Sequence, residues 1–211
     1  MDEYIDFDAK SFPEYFLNAL KLVNEIEGDF VECGFGHGNS CNIAISGMQN
    51  GELKKRHVVV ADSFKGFPKP SIEDKSIRKT KKGEWAIPIT NAEKIKESYQ
   101  DMEILEGFFD QTLHNYQGTI AILHLDCDLY NSYKCCLTTL YNKVISGGII
   151  LFDEYKGYTQ FKNFPGASKA IDEFFQDKNV KFYRCKYFQK PKGGTKSDKE
   201  YWKEKVFIIK P

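Results

Sequence analysis

The feature that most constrains the fold is a buried-strand pattern that ends in two carboxylates. The run Ile120–Leu125 has the length and mostly apolar composition of a strand buried on both faces, and Asp126 and Asp128 follow it directly. Residues two apart on an extended chain point to the same side, so these two carboxylates can share one site. In an open parallel sheet, ligands bind beyond the carboxyl ends of the strands.

Two carboxylates held this close repel each other unless a cation, a shared proton or a basic group offsets their charge. We therefore interpret Asp126 and Asp128 as half of a metal site. The alternative is a polar strand-to-helix turn in which Asp128 or Asn131 caps the following helix.

Stretches of strand length alternate with stretches of helical periodicity along the rest of the chain. The predicted strands cover residues 30–33, 57–61, 102–105, 120–125, 149–152, 181–185 and 205–209. The predicted helices cover residues 41–48, 91–99, 132–141 and 167–175, after a first helix that begins near residue 12 and ends before residue 28. This order predicts one α/β domain over residues 1–211, with a mostly parallel sheet. The last two strands have no helix between them, so we expect an antiparallel hairpin.

Composition excludes several classes of function. The chain has 30 basic and 30 acidic residues, so long-range attraction to nucleic acid is not expected. Its six cysteines form no C-x-x-C pair, which favours reduced thiols over disulfides or zinc ligands. The acidic first residues do not resemble a signal peptide, and no apolar run has membrane-spanning length. We expect a cytoplasmic protein with no nucleic-acid or membrane partner.

A glycine-rich turn follows the first predicted strand, at residues 30–33. Its pattern, Glu32-x-Gly34-x-Gly36-x-Gly38, differs from the dinucleotide fingerprint G-x-G-x-x-G. The acid before the glycines disfavours a pyrophosphate and favours a cationic or neutral group, such as the amino-acid end of S-adenosylmethionine. Asp62, at the end of the next strand, lies where a carboxylate holds the hydroxyls of a ribose. The alternative is a tight turn that binds no ligand.

A second pair of acids, Asp153 and Glu154, ends the strand predicted at residues 149–152. With Asp126 they offer only oxygen ligands, which suit magnesium, manganese or calcium better than zinc. Adjacent residues on a strand diverge, so these two acids can share one ion only if the chain turns there.

Residues 66–90 form a long segment with little predicted secondary structure. We interpret it as a solvated loop or as a lid whose cations meet an anionic substrate. Its basic residues are Lys69, Lys75, Arg78, Lys79, Lys81 and Lys82.

Six segments of this sequence together resemble the macrocin O-methyltransferase (TylF-type) family. The two most specific are Asp62-Ser-Phe-x-Gly-x-Pro68 and Leu125-Asp-x-Asp-Leu-Tyr130. The other four lie at residues 30–40, 107–113, 148–155 and 165–172, in the order that the family has.

The resemblance implies a class I methyltransferase: a three-layer, Rossmann-like fold with a mostly parallel seven-stranded sheet and an antiparallel last strand. It implies S-adenosylmethionine (SAM) and Mg²⁺ or Mn²⁺ as cofactors, and a homo-oligomer. Asp126, Asp153 and Glu154 are the implied metal ligands and Asp128 the implied general base. The implied SAM contacts are Glu32, Gly34, Gly36, Gly38, Ser40, Asp62, Ser63 and Asp110. The chain departs from the family where Glu154 stands in place of the usual Asp, and in the turn at residues 35–39.

The function that follows is metal-dependent methylation of a hydroxyl on a sugar or glycosylated small molecule, one that carries phosphate if the basic segment contacts it. Three alternatives remain at this stage. A catechol-type O-methyltransferase would use the same cofactors on a planar diol. A metal-dependent glycosyltransferase would use Asp126-x-Asp128 for a nucleotide sugar, and a non-catalytic SAM-binding protein would not need the carboxylates.

Overall fold

The computed structural model describes residues 3–156, 162–189 and 201–211. The strands are β1 Glu3–Tyr4, β2 Asp29–Cys33, β3 Val58–Asp62, β4 Met102–Glu106, β5 Ile120–Leu125, β6 Val144–Phe152, β7 Phe182–Gln189 and β8 Tyr201–Ile209. The helices are α1 Phe12–Lys21, α2 Asn39–Gln49, α3 Thr90–Ser98, α4 Phe109–Thr112, α5 Tyr130–Leu140 and α6 Pro165–Phe175. Short 3₁₀ turns lie at Ile72–Asp74, Leu113–Asn115 and Tyr141–Lys143.

All the strands join one sheet in the order β1-β7-β8-β6-β5-β2-β3-β4. Strands β2 to β6 pair in parallel, and β8 runs antiparallel to both β6 and β7. The predicted α/β class and the antiparallel hairpin are therefore confirmed. Within the described ranges the sheet has eight strands where seven were expected, because β1 pairs with the outer edge of β7. Its two residues are exposed and carry no apolar alternation that would reveal a strand.

Strand β6 begins five residues before the predicted start, at Val144 instead of residue 149. The two glycines at 147 and 148 precede the predicted strand, but in the structure they lie within it. Gly147 has a φ of +82°, and the pairing register of β5 with β6 shifts near this point. Glycine here allows an irregularity in a strand that otherwise continues.

Helices cover both faces of the sheet. On one face, α1 and α2 contribute Phe16, Leu20 and Ile45 to a core that includes Phe30 of β2. On the opposite face, α5 and α6 pack on the alternate strand positions; their buried residues are Tyr133, Leu137, Leu140, Ala167, Ile171 and Phe175. The three layers bury β2, β3, β5 and β6 from both sides, so the polar groups at their carboxyl ends meet at one edge.

In the described ranges, none of the helices is long and apolar enough to cross a bilayer.

Candidate active site

The glycine turn after β2 brings two strand ends into contact. Gly34 has a φ of +91°, and a side-chain carbon there would lie 1.8 Å from the carbonyl oxygen of Asp126. Only glycine lets the backbone of the turn approach β5 this closely. Gly38 has a φ of +76° at the start of α2, where added bulk would strike the ring of Phe35.

The carboxylate of Asp62 ties this turn to the end of β3. Its Oδ2 accepts a hydrogen bond from the backbone N–H of Phe35 at 2.8 Å, and its Oδ1 accepts one from the N–H of Phe64 at 2.8 Å. The neighbouring Ser63 donates its hydroxyl to the carbonyl of Gly66 at 2.9 Å. Asp62 therefore fixes the loop walls, and each of its oxygens retains a lone pair for a ligand.

A cavity of about 630 Å³ opens between these loops. Five of the predicted SAM residues line it, namely Gly34, Gly36, Asp62, Ser63 and Asp110. Asp126 and Asp128 line the same cavity, as do Phe108, Phe109 and Cys135 from the β4 and α5 side. Its volume lies within the range of about 300–1,000 Å³ that cofactor-sized ligands occupy.

The other three predicted SAM residues do not line this cavity as the described residues form it. Gly38 and Ser40 lie behind it, in the first turn of α2, and both are buried. Glu32 is fully buried beneath the turn, and its Oε1 lies 2.9 Å from Nδ1 of His124. Its Oε2 has no hydrogen-bond partner among the described residues.

His124, on β5, is buried beside Glu32. The ring of Phe16 packs edge-on against it, with centroids 5.0 Å apart. Burial opposes protonation of His124, but its bond to the Glu32 carboxylate outweighs this effect and raises the pKa. The pair places a charged or strongly polar layer directly under the glycine turn.

The predicted metal ligands fall into two overlapping groups within the described residues. One oxygen each of Asp126, Asp128 and Glu154 lies within 4.8 Å of the other two, and so do ligand atoms of His124, Asp126 and Asp153. Asp153 and Glu154 fall in different groups, although their two carboxyl groups also interact through a side-chain hydrogen bond. Asp126 belongs to both groups and stands between them.

Asp153 is held by a residue that sequence analysis missed. Phe152 of β6 pairs with Val206 of β8, so the next residue along β6 stands opposite Lys205. The Lys205 ammonium forms an ion pair with the Asp153 carboxylate and lies 3.0 Å from the carbonyl oxygen of the same residue. Although burial acts in the other direction, Lys205 lowers the pKa of Asp153 to about 2.

Glu154 points toward the α5 layer instead. Its Oε2 lies 2.7 Å from the hydroxyl of Tyr133 and accepts a 3.3 Å bond from the backbone N–H of Asp128. Burial, and then the charge of Asp128, raise the pKa of this carboxyl group well above its usual range.

Asp126 and Asp128 carry the repulsion that the sequence predicted. Burial and the charge of Asp153 raise the pKa of Asp126 to about 7. Burial and the charge of Asp126 raise the pKa of Asp128 well above its usual range. Asp128 also has a φ of +58°, a left-handed conformation that costs energy in a residue other than glycine. A hard divalent cation suits such a set of buried carboxylate oxygens.

A second cavity, of about 220 Å³, lies on the other side of these acids. It is lined by Trp85, Asp126, Asp128, Asp153, Glu154, Asn163 and Phe164. Trp85, Asp126 and Asp128 line both cavities, so the carboxylates form the boundary between two spaces.

Residues 66–90 cover this boundary. The Trp85 ring packs against Phe67 and Phe164, with centroid distances of 5.1 and 5.9 Å, and the guanidinium of Arg78 lies 4.2 Å from the Trp85 centroid. The buried carboxylate of Asp74 attaches the segment to α5, because its Oδ1 accepts a 2.8 Å bond from the N–H of Tyr130. The segment is therefore packed on the body of the protein.

The basic residues of this segment do not act together. Lys69 lines the larger cavity, whereas Lys81 and Lys82 are exposed and line neither. Arg78 donates to Glu84 at 2.8 Å.

Among the described residues of the site that sequence analysis did not predict are Lys205, Tyr133 and Trp85. The strand pattern at 205–209 was recognised, but the partner of Lys205 depends on the register with β6. Tyr133 lies one helical turn after Leu129, on the same side of the predicted helix. The available signal was a polar hydroxyl on the apolar side of that helix, which needs a buried hydrogen-bond partner. Trp85 follows the basic residues of the 66–90 segment by three positions, and nothing in the local sequence indicates a role for it.

Comparison with known structures identifies the fold. The chain superposes on the structure of the O-methyltransferase NovP with a TM-score of 0.71 and 25% sequence identity, covering 94% of this chain and 78% of that one. It superposes on the calicheamicin methyltransferase CalS11 with a TM-score of 0.67 and 21% identity, over 92% and 76% of the two chains. The protein has the Rossmann-like fold of the class I methyltransferases.

Sequence comparison narrows this class to one family. The sequence model of macrocin-O-methyltransferase (TylF) matches residues 17–184, so the chain belongs to that family. It is 28% identical to the demethyldecarbamoylnovobiocin O-methyltransferase of Streptomyces niveus over 163 residues, which is 72% of this chain and 59% of that protein. It is 26% identical to the mycinamicin III 3''-O-methyltransferase of Micromonospora griseorubida over 165 residues, or 72% and 62%. The chain spans less than two thirds of the length of these relatives.

Proposed function

We propose that this protein is a SAM- and divalent-metal-dependent O-methyltransferase that acts on a hydroxyl of a sugar or glycosylated small molecule. The observation that carries the proposal is the position of Asp126 and Asp128, which line both cavities at their boundary. A methyl donor in one cavity and an acceptor hydroxyl in the other would meet at these carboxylates. Membership of the TylF family and the activities for which the two relatives are named support this assignment.

The larger cavity is the proposed SAM site. Its glycine turn allows close backbone approach, and Asp62 stands at the end of the adjacent strand, where a ribose is held in such folds. Asp110 and Ser63 line the same wall. Glu32, Gly38 and Ser40 support the turn from behind, so we assign them an indirect role in SAM binding.

The carboxylates are the proposed metal site. Asp126 is common to both groups of candidate ligands, so we assign it as the central ligand, with Asp153 and Glu154 on its two sides. When bound, SAM supplies the methyl group, and Mg²⁺ or Mn²⁺ supplies positive charge that stabilises a deprotonated hydroxyl.

Asp128 is the proposed general base. It lines both cavities, where a carboxylate oxygen would accept the proton of the acceptor hydroxyl while the hydroxyl oxygen takes up the methyl group. Its left-handed backbone is fixed by the N–H bond to Glu154, which holds the residue in one orientation. Alignment of acceptor and donor across the boundary supplies the rest of the rate enhancement.

Residues 66–90 are the proposed substrate lid. Trp85 covers the boundary between the cavities, and Lys69 is the basic residue of this segment that reaches the larger one. A phosphate-bearing acceptor would contact Lys69; Lys69→Met should then raise KM for a nucleotide sugar, whereas Lys82→Met, at an exposed lysine, should not. Slower hydrogen exchange in residues 66–90 on addition of SAM and acceptor would support the lid, and unchanged exchange would contradict it.

The function is tested by methyl transfer from SAM to a panel of glycosides, nucleotide sugars and catechols. We expect turnover on a sugar hydroxyl that EDTA removes and Mg²⁺ restores. Asp128→Asn should lower kcat by at least about 100-fold while SAM still binds. Asp177→Asn, at an exposed aspartate, is the matched control.

Each alternative has a distinct result. Turnover restricted to catechols would indicate the planar diol as substrate. Tight binding of a nucleoside diphosphate with no binding of SAM would indicate a glycosyltransferase. SAM binding that survives loss of Asp126 and Asp153, with no turnover on any acceptor, would indicate a non-catalytic protein.

A further inference from the structure

Lys205 is a buried cation within a cluster of acids. It lies in β8 with 3% of its surface exposed, and the ring of Phe12 covers it at 5.9 Å from its ammonium nitrogen. The antiparallel register brings it opposite the end of β6, where it pairs with Asp153. A lysine is seldom buried this deeply unless its charge is compensated.

The acids around it exceed the charge that one lysine can offset. Asp126, Asp128, Asp153 and Glu154 all lie at the carboxyl ends of β5 and β6. Carboxylate oxygens of Asp126, Asp128 and Glu154 lie within 4.8 Å of one another, and one of Asp153 lies within the same distance of Asp126. Lys205 compensates one of the four directly. Its partner is Asp153, one of the two acids after β6 that belong to the proposed metal site.

We propose that Lys205 is the built-in counter-ion of this site and that it competes with a divalent cation for Asp153. The inference rests on the divalent-cation site of the proposed function. Without a divalent cation, the ammonium holds Asp153 in place and offsets part of the carboxylate charge, so the site remains folded. A divalent cation that draws on the same carboxylate meets the positive charge of Lys205 and binds less tightly than the four acids alone would allow. Lys205 therefore lowers the affinity of the site for the divalent cation, and it makes folding less dependent on that cation.

The test compares wild-type protein with Lys205→Gln and Lys205→Met. Gln keeps a hydrogen-bond donor for Asp153 without the charge, and Met keeps the apolar stem alone. Mn²⁺ binding is followed by electron paramagnetic resonance, and thermal unfolding is followed with EDTA and with Mn²⁺. We expect both variants to bind Mn²⁺ at least about fivefold more tightly than wild type. We also expect a lower Tm in EDTA and a larger rise in Tm on addition of Mn²⁺.

Lys210→Met is the matched control. Its ammonium bonds backbone carbonyls of residues 141 and 144 at the other end of the sheet, so its loss should lower the Tm equally with and without Mn²⁺. If the Lys205 variants fold only when Mn²⁺ is present, the competition is supported, since the ion then replaces the lysine.

Equal Mn²⁺ affinity in wild type and variants would overturn the inference and leave the proposed function intact. Failure of the variants to fold under either condition would also overturn it, because the ion would not then replace the ammonium. Absence of Mn²⁺ binding in all proteins would overturn it together with the metal dependence; methyl transfer in EDTA would show that the methyltransferase assignment survives.

Discussion

Arg56 and Lys205 are buried cations at opposite ends of the same sheet, and their surroundings differ in kind. Arg56, which is 5% exposed, donates at the amino end to four backbone carbonyls of the segment 23–28. Those carbonyls belong to the segment that connects α1 to β2. Lys205, at the carboxyl end, has one carboxylate partner in a cluster that contains three further acids, of which Asp128 and Glu154 are buried.

The comparison distinguishes a buried charge that stabilises the fold from buried charges that belong to a ligand site. At the amino end, neutral acceptors satisfy the guanidinium, so nothing remains for a ligand to complete. At the carboxyl end, acids repel one another and Asp128 holds a strained backbone. Such repulsion and strain are typical of functional sites, where a bound group offsets their cost in free energy.

The largest expected effect comes from Asp126→Asn at the carboxyl end. Methyl transfer should fall by at least about 100-fold, since the variant loses the acid shared by both candidate ligand groups. The Tm in EDTA at pH 8 should nevertheless rise by a few degrees, because burial and Asp153 raise the pKa of Asp126 to about 7, and the charged form is therefore unfavourable in the folded state. Activity assays and calorimetry on the same preparation measure both effects.

Asp177→Asn serves as the control for this change. A lower Tm in EDTA for the Asp126 variant would mean that the carboxylate stabilises the fold, and the contrast between the two ends would then fail.

Arg56→Met should have the reverse effect, with lower stability and unchanged activity. Four backbone carbonyls lose their donor, so the free energy of unfolding should fall by about 3 kcal/mol. The Kd for SAM and the kcat of the folded fraction should stay within twofold of wild type. Urea denaturation and assays below the transition distinguish the two quantities. A large loss of kcat in fully folded protein would show that this end also contributes to the site.

How far the sequence predicts each region follows from the range of the interactions involved. The acids at 126, 128, 153 and 154 were found because a strand ending in polar residues is a local pattern, and parallel strands share their carboxyl edge. Of the predicted SAM residues that line the larger cavity, Gly34, Gly36 and Asp62 belong to the same kind of local pattern, whereas Ser63 and Asp110 were implied by the family resemblance.

The counter-ion and the roof of the site were not predicted, because both depend on contacts that are distant in sequence. Lys205 lies opposite Asp153 only because β8 pairs with β6 in one antiparallel register. The local sequence gives neither this register nor the order of the strands in the sheet. Trp85 reaches the boundary of the cavities because Asp74 attaches its segment to α5. Strand β1 was missed because two exposed residues carry no periodicity.

The smallest expected effect lies at the amino end, at His57. Its Nδ1 lies 2.7 Å from Oδ1 of Asp101, and its Nε2 lies 3.7 Å from Oε2 of Glu103. Burial disfavours the charged ring, but the bond to Asp101 and the surrounding acids outweigh this and raise the pKa. The stabilisation from His57 is therefore complete below the unfolded pKa of about 6.5 and is lost as the pH rises through the folded pKa.

The free energy of unfolding of wild type should thus exceed that of His57→Gln by more at pH 6 than at pH 9. The difference should stay below about 1 kcal/mol, because the side chain is 35% exposed and solvent screens the pair. His114→Gln, at an exposed histidine, gives the baseline in urea titrations at both pH values. A gap between wild type and His57→Gln that widens toward pH 9 would mean that the neutral ring is the stabilising form. The ion pair at this end would then contribute nothing, and Arg56 alone would represent stabilising charge in the comparison with Lys205.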